Sequence, residues 1–221
     1  MTETAKKNKK NLFVVWQNRY NPPIRIVRKL MEEGKLGKPI LFIANMIWNR
    51  NEDYYKSAEW RKSLKLAGGT LYNQASHFVD LMLFFMGKPK TVYSVMGKNK
   101  LDIEIEDIGI ITSEFENGSF GVLNYTVAAT NKNCEGSLTL IFSKGTVKIG
   151  GEYLDKIDYF QVEGIDSHES IGAPMEPEVY GFYKESMSKL FSDIVKNFND
   201  SSYQGNLVRG EEAIEGVRFM E

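Results

Sequence analysis

Residues 91–96 (TVYSVM), 107–115 (DIGIITSEF), 120–129 (FGVLNYTVAA), 137–142 (SLTLIF) and 146–149 (TVKI) are β-rich runs in succession, and their reading decides the fold. β-branched and aromatic residues dominate them, which suits pleated, half-buried backbone. Asn117-Gly118 and Lys144-Gly145 separate neighbouring runs, and such dipeptides favour tight hairpins. Tight turns between consecutive strands predict an antiparallel meander. Residues 157–162 supply one more candidate strand.

Upstream of the meander the pattern changes to helix and strand in alternation. Residues 12–16 (LFVVW) are continuously apolar, the pattern of a strand buried on both faces. Asn21 and Pro22 can then open a helix as cap and first residue. Ile26, Val27, Leu30 and Met31 form its apolar stripe, and Gly34 and Gly37 end it. A strand is expected over 40–48, an irregular aromatic and charged loop over 49–67, and a helix over 73–86. Downstream, residues 163–179 read as a loop. Residues 180–198 read as an amphipathic helix with Phe182, Met187, Leu190, Ile194 and Phe198 inward, and 206–220 as a last helix. Strands in one run with helices segregated around them predict an α+β domain: an open, mostly antiparallel sheet with helices on one face.

The bulk chemistry excludes several classes. Formal net charge is -1, so no global field draws nucleic acid or an anionic membrane. The local run Lys6, Lys7, Lys9 and Lys10 reads as a solvated helix end, because no aromatic platform interleaves with it. Cys134 is the sole cysteine, so an intramolecular disulfide is impossible, which fits a reducing cytoplasm. Apolar runs stay far below the roughly 20 residues that span a bilayer. A cytoplasmic protein without metal is expected.

Three segments concentrate side chains suited to chemistry. In residues 68–80 (GGTLYNQASHFVD), Asn73 and His77 are four apart and would share a helix face. Asp80 follows His77 by three and could orient its ring. The glycine pair lets a ligand or another backbone approach the helix N-terminus. The positive end of the helix dipole favours a neutral imidazole. Such a ring can accept a proton from a sugar hydroxyl as hydride leaves the same carbon. The alternative, which spacing alone favours, is a structural histidine capping a packed helix. In the second segment Arg50 and Arg61 lie among Trp48, Tyr54, Tyr55 and Trp60. Guanidinium forks bind carboxylate or phosphate and aromatic rings stack on sugars; the alternative is a surface loop tied down by its own rings. The third segment, Gln17-Asn18-Arg19-Tyr20-Asn21, offers Arg19 either to a ligand or to a salt bridge within the loop.

The ordered motifs QNRYNP, EEGKLGKP, WNR-x3-YY-x4-WR and GGTLYNQASHFVDLMLFFMG resemble the C-terminal domain of the glucose-fructose oxidoreductase and inositol dehydrogenase family. Within it they are most similar to the branch that oxidises the 3-hydroxyl of UDP-N-acetylglucosaminuronic acid for lipopolysaccharide O-antigen synthesis. The resemblance runs from about Leu12 to the end. It implies a Rossmann domain ahead of the present domain, with NAD or NADP held there and a sugar or nucleotide-sugar substrate between the two. It implies a homo-oligomer built on the open sheet face. A lysine of a Glu-Lys-Pro motif and a histidine of Asp-x-x-x-His serve proton transfer in the family; His77 matches that histidine. Asn73 replaces the aspartate, as the Asn-Gln of the nucleotide-sugar branch does. The implied substrate-binding residues are Arg19, Tyr20, Asn21, Arg50, Tyr54, Trp60, Arg61, Asn73 and Gln74.

The sequence contains neither Gly-x-Gly-x-x-Gly nor Glu-Lys-Pro. Residues 1–16 are therefore expected to be the tail of a Rossmann domain, and 17–221 the substrate-binding and oligomerisation domain. The expectation is an enzyme half, inactive alone, from a fragment or from a split gene whose other half is a partner chain. NAD and NADP are not distinguished, because the deciding acidic residue lies in the Rossmann half. The competing reading is a standalone binding or assembly module of the same fold.

Overall fold

A computed structural model describes residues 1–167 and 181–221, with the side chains of 181–185 excepted. The short helix α1 (Thr2–Lys7) leads to the two-residue strand β1 (Phe13–Val14) and a 3-10 turn, Gln17–Tyr20. Helix α2 (Pro22–Glu32) and strand β2 (Pro39–Ile47) follow. The expected irregular loop holds short helical pieces: α3 (Glu52–Lys56), a 3-10 turn (Glu59–Lys62) and α4 (Leu64–Ala67). A π turn, Leu71–Ala75, runs into helix α5 (Ser76–Met86).

The meander is present as β3 (Pro89–Gly97), β4 (Ile108–Phe115), β5 (Phe120–Thr126), β6 (Glu135–Phe142), β7 (Gly145–Gly150) and β8 (Lys156–Val162). Helix α6 (Gly181–Asn199), strand β9 (Val208–Arg209) and helix α7 (Gly210–Met220) complete the described chain.

The sheet has seven strands in the order β3-β4-β5-β2-β6-β7-β8. β2 inserts between β5 and β6, parallel to β5 and antiparallel to β6; every other pairing is antiparallel. The meander is thus split by a strand from before it, an arrangement that local turn signals do not encode. Alternation decides which face is covered. Phe42, Ala44 and Met46 of β2, Ile111 and Phe115 of β4, and Leu123 and Tyr125 of β5 are buried. They pack with Phe78, Val79, Met82, Phe85 and Met86 of α5 and with Ile24, Val27 and Leu30 of α2 in one core. Truncating such a buried Leu, Ile or Phe to Ala typically costs about 2–5 kcal/mol. The opposite face stays open, with Tyr93, Val95, Ile108, Ile110 and Phe120 exposed.

The structure corrects several expectations. Residues 12–16 do not form a sheet-core strand. Phe13 and Val14 pair only with β9, in a separate two-stranded ribbon, and are half-buried. Asn21 sits at the N-cap of α2 without capping it through its side chain. Phe198 is 86% exposed rather than inward, because α6 turns Ser186, Leu190, Asp193 and Asn197 to the body of the protein. The Phe182 side chain and most of the expected 163–179 loop lie outside the described residues. The last helix begins at Gly210, since Val208 and Arg209 are taken by the ribbon.

Candidate active site

The site is built on the start of α5. Helix α4 ends at Gly68 (φ 74°), and Gly69 (φ 111°) turns the chain into Thr70. A Cβ at Gly69 would come within 2.6 Å of a Glu106 carboxylate oxygen. The small residue therefore admits the Glu106 side chain, not a ligand, to this end of the helix. Glu106 accepts from the Leu71 backbone N–H (2.7 Å) and from the Tyr125 hydroxyl (3.2 Å). The next five residues wind as a π turn, a geometry often found at functional sites. Asn73 and His77 consequently do not have the plain i, i+4 relation of one α-helix.

His77 lies in the first turn of α5. It lines a narrow cavity with Asn18, Asn21, Trp48, Tyr153 and Ser186. Its Nδ1 is sealed from solvent and, among the described residues, has no hydrogen-bond partner. Burial lowers its pKa to about 4, so the ring is neutral at pH 7. The neutral state matches expectation, but its cause is desolvation rather than the helix dipole. Asp80 does not orient the ring. It is bound instead by Arg19, through Nε–Oδ2 at 2.8 Å and Nη2–Oδ1 at 2.6 Å.

Next to the cavity, Arg50 and the π turn form a polar cluster. Arg50 Nη2 donates to Gln74 Oε1 (3.0 Å), and Gln74 Nε2 donates to the Tyr54 hydroxyl (2.8 Å). Arg50 Nη1 donates to the Asn49 carbonyl (2.7 Å) and to Asn133 Oδ1 (3.2 Å). Its guanidinium lies 5.1 Å from the Trp48 ring and 5.3 Å from Tyr54. Arg61 stands 4.3 Å from the Tyr54 ring and 5.5 Å from Trp60. Two guanidinium groups thus contact the Tyr54 ring, which steadies it. Trp48 and Tyr153 (ring centroids 6.2 Å apart) connect this cluster to the His77 cavity.

The structure brings together Asn21, Arg50, Tyr54, Arg61, Gln74 and His77, with the exposed Trp60 at the edge; Asn73 lies in the same π turn as Gln74. Asn21 spans the gap to the β7–β8 turn, donating to the Tyr153 carbonyl (3.0 Å), and accepts from the Ser186 hydroxyl (3.0 Å). Two expected residues leave the group. Arg19 is committed to Asp80 and, through Nη1, to Glu212 (2.7 Å). Tyr20 is buried and donates to Asp193 (3.1 Å) on α6, and burial raises its hydroxyl pKa well above the ordinary value. The sequence reading missed Glu106, Asn133, Tyr153 and Ser186. Only Tyr153 carried a signal, the Gly150-Gly151 pair that precedes it.

Among the described residues no cluster of three or more His, Cys, Asp or Glu could hold a metal ion, and no helix is long and apolar enough to cross a membrane.

A family model for the GFO/IDH/MocA C-terminal domain matches residues 24–148, and the chain belongs to that family of oxidoreductases. Two similar solved structures are complexes with NADH and UDP-GlcNAcA. The WlbA dehydrogenase of Bordetella pertussis is 29% identical, with a TM-score of 0.80, covering 98% of this chain and 60% of that one. The WlbA dehydrogenase of Chromobacterium violaceum is 28% identical, with a TM-score of 0.83, covering 97% and 60%. An uncharacterized oxidoreductase of Schizosaccharomyces pombe is 26% identical over 183 residues, which are 79% of this chain and 45% of the relative. The chain therefore spans about 60% of those solved chains and under half of that curated relative.

Proposed function

We propose that this chain is the substrate-binding half of an NAD- or NADP-dependent dehydrogenase that oxidises a hydroxyl of a sugar, most specifically a nucleotide-linked uronic sugar. One observation carries the reading: a half-buried, neutral His77, whose sealed Nδ1 has no hydrogen-bond partner among the described residues, beside a cluster in which Arg50, Gln74 and Tyr54 are mutually fixed. A preformed polar cluster with an aromatic wall suits a sugar, and a guanidinium suits a carboxylate or diphosphate. The similar WlbA structures, which hold UDP-GlcNAcA, support that substrate class.

The described residues do not fit a dinucleotide. The parallel pair β2–β5 is not joined by a glycine-rich strand-to-helix turn, the usual cradle for a pyrophosphate. In this reading the dinucleotide is held by a Rossmann half, in the same polypeptide or in a partner chain, and supplies the hydride acceptor when bound. Residues 1–16 lead in from that half, and 17–221 bind substrate and assemble the oligomer. His77 takes the hydroxyl proton. With Nδ1 sealed, Nε2 is the accepting nitrogen. A ring this weakly basic accepts the proton in step with loss of the hydride, when the hydroxyl becomes strongly acidic. A cytoplasmic role in O-antigen sugar synthesis and self-association through the open sheet face belong to the same reading. The experiment is an assay of NAD(P)H formation with UDP-N-acetylglucosaminuronic acid, using this chain completed by a Rossmann half. Turnover supports the enzyme; substrate binding without turnover supports a binding module instead.

A further inference from the structure

We propose that Glu106 is a positioning residue of the site: its carboxylate holds the π turn that brings Gln74 to Arg50 and Tyr54 and sets His77 behind it. The functional weight of this inference rests on the sugar-dehydrogenase reading; the geometry does not.

A π turn is rare and needs something to hold it against relaxing to α-helix. Here three contacts come from one residue. Glu106 Oε1 accepts from the Leu71 N–H at 2.7 Å, the first residue of the turn. The Glu106 backbone carbonyl accepts from the Thr70 hydroxyl at 2.5 Å. The second carboxylate oxygen lies against Gly69, where even a methyl group would intrude. Tyr125 of β5 steadies the carboxylate from the sheet side. The arm that presents Glu106 is itself fixed. The neighbouring Asp107 is fully buried and accepts from the backbone N–H groups of Asn99 (3.0 Å), Lys100 (2.8 Å) and Leu101 (2.9 Å).

The turn carries an extra residue ahead of α5. Relaxing it to α-helix would rotate residues 71–75 by about 100° relative to the helix, one residue's worth of winding. Gln74 would then leave both Arg50 and Tyr54, and Arg50, which lies on the Trp48 ring lining the His77 cavity, would lose a partner. Sequence spacing alone cannot reveal this, because Glu106 lies 35 residues from Leu71.

The test is NMR of the 221-residue chain. It has two histidines, so the His77 ring signals are readily assigned. Glu106→Ala and Gly69→Ala should each displace the Gln74 carboxamide signals. Each should also move the His77 ring signals, because the Arg50 cluster beside the cavity is rearranged. Glu106→Gln keeps a carbonyl oxygen for Leu71 and Tyr125 and should retain the wild-type signals. A merely structural role would lower the melting temperature without moving these signals in the folded protein. If Glu106→Ala does not fold, Glu106→Asp, one methylene too short to reach Leu71 from the same backbone, decides alone. Folded variants with wild-type Gln74 and His77 signals would overturn the proposal. A failure of the dehydrogenase reading would show in turnover and leave this readout untouched.

Discussion

Arg19 and Asp80 form a two-pronged ion pair inside the protein, with side chains only 7% and 1% exposed. It ties the 3-10 turn before α2 to α5, and Glu212 on α7 extends it to a third element. The Arg19 guanidinium also lies 4.6 Å from the Phe84 ring. An arginine so used is a clamp on the helix that carries His77, which is why it is lost to the substrate.

Arg19→Ala leaves the buried Asp80 carboxylate uncompensated and should lower unfolding free energy by about 3–5 kcal/mol. Asp80→Asn leaves Arg19 still paired with Glu212 and should cost less. The double variant should cost much less than the sum. Urea titration reads this. An Arg19→Ala loss below about 1 kcal/mol, the range of surface pairs, would mean the pair is solvated and contributes little.

His77 should make the protein acid-sensitive. Its folded pKa of about 4 lies below the ordinary 6.5, so the unfolded chain binds the extra proton first. Its contribution is complete above about pH 6.5 and is lost as pH falls toward 4, by up to roughly 3 kcal/mol. Asp80 works oppositely, because burial raises its carboxyl to about 6. Comparison with His77→Asn isolates the histidine: wild-type stability relative to the variant should fall as pH drops from 7 to 4. A difference independent of pH would mean that His77 is solvated.

Arg50 should read substrate charge. It lies three residues past β2, its backbone N–H bonded to the Val127 carbonyl (2.8 Å), and is held on two aromatic rings. A hydrogen bond to a charged group is worth roughly 1.5–3 kcal/mol, or about 10- to 100-fold in affinity. Arg50→Ala should weaken the UDP-uronic acid by that factor and its neutral UDP-hexose counterpart much less. Equal losses for both would assign Arg50 to structure.

The open sheet face should mediate self-association. Tyr93, Val95, Ile110 and Phe120 lie exposed on it, and contiguous apolar patches of this kind mark interaction surfaces. Sedimentation at about tens of micromolar should show a dimer or larger, and Ile110→Lys should shift it toward monomer. A wild-type monomer at that concentration would contradict the assembly.

Much of the fold was legible because its signals are local. β-rich runs, the Asn117-Gly118 and Lys144-Gly145 hairpins and the apolar stripe of α2 all act over a few residues. The central place of β2 was not legible, since parallel pairing with β5 has no turn to announce it. The site divided in the same way. His77, Arg50, Tyr54 and Gln74 stand in motifs with recognisable chemistry. Arg19 looked the same in sequence, and only burial beside Asp80 and Glu212 separates it from them. Glu106 and Tyr153 reach the site from distant loops, and nothing in their own neighbourhood marked their partners.

The central claim is that His77 moves the proton in a sugar dehydrogenase. The most direct measurement is steady-state turnover of the His77→Ala variant, completed by a Rossmann half, with UDP-N-acetylglucosaminuronic acid. A general base contributes about 10²–10⁴-fold to rate, so kcat should fall within that range while KM changes little. A kcat reduced less than about threefold, far below that range, would contradict the account and leave His77 a structural residue.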